Sequence, residues 1–371
     1  MLPVHRTHAV RPTIAGAPAT RGAVILLVLV TVMLTAFLLS RFIQRAGTEL
    51  LADAHASEQY RLRAEAYSAL EVTLAVLADF RAIDGSLHSP AQGWDDPLHY
   101  AGYEPAGGRR VVISFEDETG KVSLPGLDQD ALQLVLEQAG LARREAELAS
   151  DAMLVWMRPD YKPASLENEA QRYERAALPH LPPQRSLASW QELASIEHAR
   201  EYFYDEAGRP NDRWRWLEAN VSLFAFNATN LNTATPAALD ASGLSEAQTT
   251  SLRQHLDAPP AGGGAHYFRS AAEANSVVGM AGTPGKLGAE VQVLRIVVTV
   301  HDGTAAFRMS AVVVPPGGSA GVTAVVKTPA PTAPAETKNA PVQVKKLNYP
   351  FRILDIHEAI DRAEPLAEPA P

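Results

Sequence analysis

The strongest restriction on the fold of this chain is an uncharged apolar run close to its N-terminus. Residues 23–40 read AVILLVLVTVMLTAFLLS, eighteen residues without a charge or a proline. A helix of that length covers about 27 Å at about 1.5 Å per residue, close to the roughly 30 Å hydrocarbon core of a bilayer. Arg21 and Arg41 lie on either side of the run. The run therefore predicts a single membrane-spanning helix.

Charge and cysteine content exclude several classes of protein. The 371 residues carry a formal net charge of −9, yet residues 1–22 contain three arginines and no carboxylate, so the rest has 30 basic and 42 acidic residues. A basic start before an acidic body is typical of a membrane-targeted, exported protein. The acidic balance argues against nucleic-acid binding, because phosphate contacts need a basic face. The absence of cysteine excludes disulfides, zinc ribbons and thiol catalysis.

Three interpretations fit the N-terminal segment. A cleaved secretory signal would need a small-residue cleavage site where Arg41 and Arg45 lie. A plain signal anchor explains the hydropathy equally well. The third interpretation rests on residues 20–23 (TRGA), where a basic leader ends at Gly22 and the apolar run begins at Ala23. This junction resembles the leader of type IV prepilins, which prepilin peptidase cuts after the glycine on the cytoplasmic face.

The membrane helix is predicted to continue beyond the bilayer. Residues 41–81 contain no proline and one glycine, Gly47. Apolar side chains recur there at helical spacing, with polar residues on the opposite face; the apolar stripe is formed by Tyr67, Leu70, Leu74 and Leu77. The pattern predicts one unbroken helix to about Arg81. The alternative, a signal anchor followed by a separate coiled-coil stalk, would need a stripe that runs on in heptads.

The remaining sequence predicts strands on both sides of a helical block. Residues 110–115 and 121–124 predict a hairpin around the turn at 116–120, and residues 291–301 and 305–314 predict a second hairpin around Asp302-Gly303. Between them, helices are predicted over 131–139 and 145–157, with a third starting near Ser186 or Ser189 and carrying Trp190, Leu193 and Ile196.

A second helical unit is predicted at residues 227–257. Thr235 is placed to cap a helix with Pro236 at its first position, and Ser245 with Gln248 forms a capping box for the next. The unit resembles a helix-hairpin-helix or SAM-like module. From about residue 316 the chain is rich in proline, alanine and threonine, which predicts a linker, and residues 351–360 are expected to form a short docking segment.

The order of these features resembles the general secretion pathway protein K family, the large minor pseudopilins of type II secretion systems. The resemblance is carried by Arg21-Gly22-Ala23, by the strand and turn at 116–124, and by the helical block entered at Leu127 and Asp128. The stretch 178–193 and residues 230–234 with the following helix complete it.

The predicted fold is α+β, a pilin-like fold with a long N-terminal transmembrane helix, a small antiparallel sheet and a large inserted α-helical domain. The predicted division is a leader (1–22), a transmembrane and amphipathic helix (23–81), a β body (82–125 and 290–315), an inserted SAM-like helical domain (126–226), a helix-hairpin-helix unit (227–289) and a flexible linker and tail (316–371).

The resemblance implies a structural role in secretion. It implies processing by prepilin peptidase after Gly22, methylation of Ala23, and a single-pass position in the bacterial inner membrane with a cytoplasmic N-terminus and a periplasmic body. It also implies a complex with I-type and J-type minor pseudopilins that initiates the pseudopilus at its tip, contact with the major pseudopilin, and export of folded proteins across the outer membrane. Nucleic acid and small-molecule substrates are not expected.

Two further details follow from the resemblance. Most pseudopilins have a glutamate at the fifth position after the cleaved glycine, whereas this chain has Leu27. A carboxylate without a partner is costly in lipid, and K subunits typically lack it. In some members the α-domain binds calcium, which requires clustered oxygen ligands. The matching acidic run is here only Arg158-Pro159-Asp160, and the acidic residues 116–118 fit a solvated turn equally well, so the residues themselves predict no cofactor.

Two other functions are less consistent with the sequence. An enzyme is disfavoured because HExxH, G-x-S-x-G and phosphate-loop motifs are absent, and His198 with Glu201 on one helix face is typical of a solvated pair. A membrane-anchored DNA-uptake or type IV pilus-related protein is the alternative suggested by the helix-hairpin-helix unit. Its hairpin at 242–245 has one glycine, however, and Arg253 is the one Lys or Arg residue in 230–260. The unit therefore has little positive charge with which to bind the phosphates of DNA.

Overall fold

The structure is a computed structural model that describes residues 20–166, 173, 181–258, 266–279, 287–316 and 351–359. The chain forms two compact units, Met1–Arg61 and Leu62–Pro371.

The first helix, α1, spans Thr20–Asp84. It passes through Gly47 without interruption, so the predicted unbroken helix is confirmed and ends three residues beyond Arg81. The end is set by Gly85, whose φ of 83° lies in the left-handed region and whose N–H donates to the Arg81 carbonyl at 2.8 Å. A glycine in this conformation commonly terminates a helix.

Eight shorter α-helices follow among the described residues: α2 Pro97–Tyr100, α3 Gln129–Gln138, α4 Arg143–Met157, α5 Glu197–Phe203, α6 Asp212–Asn220, α7 Pro236–Ala241, α8 Glu246–Asp257 and α9 Ala271–Val278. The capping predictions at Thr235 and Ser245 are confirmed. The helix expected near Ser189 begins there as the 3₁₀ helix Trp190–Ser195, and Ile196 separates it from α5.

The central sheet has four antiparallel strands in the order β1-β6-β7-β8. They are β1 Arg110–Asp117, β6 Leu294–Asp302, β7 Ala305–Val314 and β8 Arg352–Ala359. The hairpin of β6 and β7 around Gly303 is confirmed by the pairing of Asp302 with Ala305. Alternate residues of β6 are buried, as expected for a strand with one face toward a helix.

The predicted hairpin of 110–115 with 121–124 is wrong. β1 pairs with β6, while the short strand β2, Val122–Ser123, pairs in parallel with β3, Val221–Ser222. The acidic segment does not turn back, because Asp117 caps the 3₁₀ helix Glu118–Gly120 and the chain then enters the helical block. A second parallel pair joins β4, Thr229–Asn230, to β5, Leu287–Gly288.

The prediction that 316–371 form a linker and tail is wrong for β8. This strand completes the sheet, and Phe351 before it is only 2% exposed in the core beneath α1, which agrees with a docking segment at this place. Residues 317–350 and 360–371 lie outside the described part of the chain.

Three main apolar cores hold the second unit together. One lies between α1 and the sheet, one lies within the helices from α3 to α6, and one holds α7, α8 and α9 together. The α+β architecture with a long N-terminal helix is therefore confirmed.

Candidate functional site

The N-terminal part of α1 is an uncovered apolar surface. Its large apolar residues between Val24 and Ile43 are 53–70% exposed, and Leu27 is 67% exposed. In the described part of the chain, α1 is the one helix long and apolar enough to cross a membrane. Gly22 and Ala23 lie in the first turns of α1, and their side chains are outside the described ones, so the processing site stays a prediction.

The apolar stripe of α1 packs on the sheet, as predicted. Leu70, Leu74 and Leu77 are at most 2% exposed and lie in one core with the buried face of β6. Because the sheet covers these side chains, they hold α1 on the body. Their role in assembly stays a prediction. Because these side chains are buried, such a role would be indirect, through the position of α1.

Tyr67 lies at the edge of this stripe and makes a contact that the sequence gives no signal for. Its hydroxyl donates to Glu358 Oε1 of β8 at 2.7 Å, and Arg63 approaches the same carboxylate at 2.8 Å. The hydrogen bond with Glu358 raises the pKa of Tyr67, and the bond from Tyr67 lowers the pKa of Glu358. The C-terminal strand is thus bound to the N-terminal helix by one charge-assisted cluster.

A second cluster joins the end of β1 to the segment before α7. Asp117 accepts hydrogen bonds from the Thr119 amide at 2.9 Å, from Asn230 Nδ2 at 2.7 Å and from Thr233 Oγ1 at 2.5 Å. Burial raises the pKa of Asp117 to about 6, and these hydrogen bonds oppose the rise. The Asn230 side chain also donates to the His88 carbonyl at 2.8 Å. The interpretation of the acidic residues as a solvated turn is wrong for Asp117, which accepts these hydrogen bonds, and for Glu118, which is 1% exposed.

The close approach of two backbones completes this junction. A Cβ placed on Gly120 would lie 2.4 Å from the Thr233 carbonyl oxygen, so only glycine fits without movement. The Thr235 amide donates to the Gly120 carbonyl at 2.8 Å. Thr119 Oγ1 accepts from the amides of Gln292 and Val293, each at 2.9 Å. One turn of chain thereby contacts both the sheet and the segment that leads to α7.

Charged side chains fill the space between the sheet and the helical block. Lys121 Nζ lies 2.5 Å from Glu116 Oε1, 3.7 Å from Glu118 Oε2 and 2.9 Å from the Glu218 carbonyl oxygen. Arg295 contacts Glu118 at 2.6 Å and Glu116 at 3.4 Å. These four side chains line a groove of about 560 Å³. Since each carboxylate faces two cations, the cluster neutralises itself, and it fixes the base of the helical block.

Comparison with known proteins places the helical block in a family. Residues 118–208 match the family model described as Type II secretion system (T2SS), protein K. Residues 118–208 therefore form a protein K domain of the kind found in type II secretion systems. The match begins at Glu118, at the base of the helical block, and extends beyond α5. The inserted helical block is therefore the part of the chain that carries the similarity to this family. This match supports the prediction that the chain is a minor pseudopilin of the type II secretion system.

The chain has the fold of a solved protein over most of its length. It is similar to a chain in the crystal structure of the GspK-GspI-GspJ complex from the enterotoxigenic Escherichia coli Type 2 Secretion System, with a TM-score of 0.55 and 13% identity, covering 84% of this chain and 99% of that chain. This likeness confirms the pilin-like fold. No curated protein matches the chain. Of the features that carried the resemblance, residues 178–180 lie outside the described part.

His198, Glu201 and Arg253 occupy ordinary positions in the fold. His198 Nδ1 lies 3.5 Å from Glu201 Oε1, one turn apart on α5. The hairpin between α7 and α8 turns at Gly243, with φ of 75°, and Arg253 is exposed on α8. Among the described residues no group of three or more His, Asp or Glu is arranged to hold a metal. Calcium therefore stays an implication of the resemblance alone.

Proposed function

We propose that this protein K chain is a tip subunit of the pseudopilus, which initiates pseudopilus assembly together with I-type and J-type minor pseudopilins for export of folded proteins. The similar solved chain forms a complex with GspI and GspJ. The proposal includes an inner-membrane position with a cytoplasmic N-terminus, contact with the major pseudopilin, processing by prepilin peptidase, and action by assembly without catalysis.

The observation that carries the proposal is the surface of α1 around Leu27. The helix presents only apolar side chains there, and Leu27 is 67% exposed. A subunit that follows another in a filament can use a carboxylate at this position to pair with the terminal amine of its neighbour, and an unpaired carboxylate in the apolar bundle would be costly. A subunit at the tip has no such neighbour, so leucine suits that position.

The first test concerns processing. Gly22→Ala should leave the leader uncut, so the protein should run larger on a gel than the wild type. Gly47→Ala is the matched control, since a Cβ there meets nothing within 4 Å, and it should be processed normally. Terminal sequencing of the wild-type protein extracted from membranes should begin at Ala23 with a methylated amine. A Gly22→Ala protein of wild-type size would overturn processing at this bond.

The second test concerns the tip position. Leu27→Glu should reduce co-purification of the I-type and J-type pseudopilins, because the new carboxylate has no amine to pair with. Leu27→Ala keeps the surface apolar and should retain the complex. If Leu27→Glu binds its partners as well as wild type does, the carboxylate has found a neighbour, and the tip assignment is wrong.

A further inference from the structure

The strand β8 is connected to the sheet differently from its neighbour. A two-residue turn joins β6 to β7, whereas residues 315–351 separate β7 from β8. Nevertheless β8 pairs with β7 from Arg308 to Val314, with one irregularity between Val312 and Val313. So long a connection does not by itself hold β8 next to β7, as the two-residue turn holds β7 next to β6.

The composition of the two strands differs in a way that matters at a sheet edge. Six of the ten residues of β7 are buried, its one charged residue is Arg308, and it ends in the apolar stretch 311–314 (AVVV). None of the eight residues of β8 is buried, and four carry charged or titratable side chains: Arg352, Asp355, His357 and Glu358. Without β8, the N–H and C=O groups on one edge of β7, which ends in three valines, would be unpaired. Such an edge is a template for pairing with another chain.

The attachment of β8 is made at its two ends. Phe351, just before the strand, is 2% exposed in the core beneath α1. Near the other end, Glu358 accepts hydrogen bonds from Tyr67 at 2.7 Å and from Arg63 Nε at 2.9 Å. Between these anchors Ile353 and Ile356 are 38% and 37% exposed. The strand is therefore fixed in register by its ends and presents a charged outer edge.

The opposite edge of the sheet is protected by other means. Two arginines lie at the start of β1, Arg109 just before it and Arg110 as its first residue, and the strand ends at Glu116 and Asp117, whose carboxylates contact Arg295 and Asn230. The Trp94 ring packs edge-on against Phe115 of this strand, with ring centroids 4.9 Å apart. Charge and a covering loop are the usual protections of an edge strand, and β7 has neither of its own beyond Arg308.

We propose that β8 is an edge cover, which prevents the edge of β7 from pairing with the same edge in a second copy of the chain. Two β7 edges can meet across a two-fold axis as antiparallel strands, which is the symmetry of most protein dimers. The cover is part of the same chain, so it occupies the edge at a high effective concentration and excludes the second copy. This inference does not depend on the tip position or on the partners proposed above.

The test compares two truncations of the full chain in detergent micelles. A chain that ends after residue 350 lacks β8, whereas a chain that ends at Ala359 keeps β8 and is the matched control. We expect light scattering to show at least a twofold larger protein mass for the first chain and the wild-type mass for the second. A synthetic peptide of residues 351–359, added in excess, should return the first chain to the wild-type mass. The same peptide carrying Phe351→Asp and Glu358→Ala should not.

If the chain ending at 350 keeps a cooperative thermal transition and the wild-type mass at every concentration, the proposal is wrong. If that chain does not fold, the full-length Phe351→Asp, Glu358→Ala variant replaces it, with hydrogen exchange used to verify that β8 is released. Self-association of that variant would support the edge cover. A released β8 together with an unchanged mass would overturn it.

Discussion

Gly120→Ala is expected to loosen the contact between the sheet and the segment before α7. A Cβ at this position would lie 2.4 Å from the Thr233 carbonyl oxygen and 2.7 Å from its Oγ1, so Thr233 would have to retreat by about 1 Å to reach van der Waals contact. The retreat would stretch the 2.5 Å hydrogen bond from Thr233 to Asp117 and the 2.8 Å bond from the Thr235 amide to the Gly120 carbonyl. Gly120 has no positive φ, so the expected effect of the alanine on the folded state is steric and involves no backbone strain.

The magnitude follows from these contacts. Overpacking costs about 1–3 kcal/mol, and each weakened hydrogen bond adds about 0.5–1.5 kcal/mol. The lower entropy of the unfolded alanine chain offsets about 0.4–1 kcal/mol. We therefore expect Gly120→Ala to lower the free energy of unfolding by about 3 kcal/mol, or Tm by roughly 5 °C for the unit Leu62–Pro371.

The assay is thermal unfolding of the full chain in detergent, followed by tryptophan fluorescence. Gly126→Ala is the matched control, because its Cβ would meet only Ser123 Oγ, at 3.9 Å. That control should leave Tm unchanged or raise it slightly. If Gly120→Ala and Gly126→Ala unfold at the same temperature, the two backbones do not approach as closely as described, and the reasoning about this junction fails.

Three further predictions concern stability. Burial raises the pKa of Asp117 to about 6 from 3.8. The contribution of Asp117 to the free energy of unfolding therefore falls as the pH rises from about 4 to about 6 and is constant above that. Asp117→Asn should remove about 3 kcal/mol of this pH dependence, measured by urea unfolding at pH 4 and pH 7. Lys121→Met removes one of the two cations that Glu116 and Glu118 share and leaves only Arg295, so it should cost about 3 kcal/mol by the same measurement. Leu74→Ala should cost about 2–5 kcal/mol, whereas Leu51→Ala, at a site 62% exposed on the same helix, should change stability by less than about 0.5 kcal/mol.

Local patterns were sufficient for the long helix and for the main hairpin. The spacing from Tyr67 to Leu77 predicted the face of α1 that packs on the sheet, and Asp302-Gly303 predicted the β6–β7 turn. These features depend on residues close in sequence, where periodicity and turn chemistry are informative. The same holds for the caps of α7 and α8.

Contacts between distant residues explain what the sequence did not predict. The segment from Glu116 to Gly120 has the composition of a turn, yet the bonds of Thr119 with Val293, 174 residues away, hold it as a 3₁₀ helix against the sheet. β8 has no regular alternation, because its register shifts opposite Val312 and Val313 and its side chains lie at an edge. Its partner on α1, through Glu358 and Arg63, is 295 residues away. No local pattern encodes pairs so far apart.

The inserted helical block is attached to the body over a short base, and this has a consequence for assembly. The chain enters the block through Glu118 and returns at Val221, where the parallel pairing with Val122 brings entry and exit side by side. At this base, Glu118 and Lys121 are buried and paired, and Arg295 of β6 contacts Glu118 at 2.6 Å. Because Glu118, Lys121 and Arg295 join the block to the sheet, changes at this base should alter how the block meets a partner subunit. Membrane insertion depends on the N-terminal part of α1, which is remote in sequence from this base, so it should not respond to such changes.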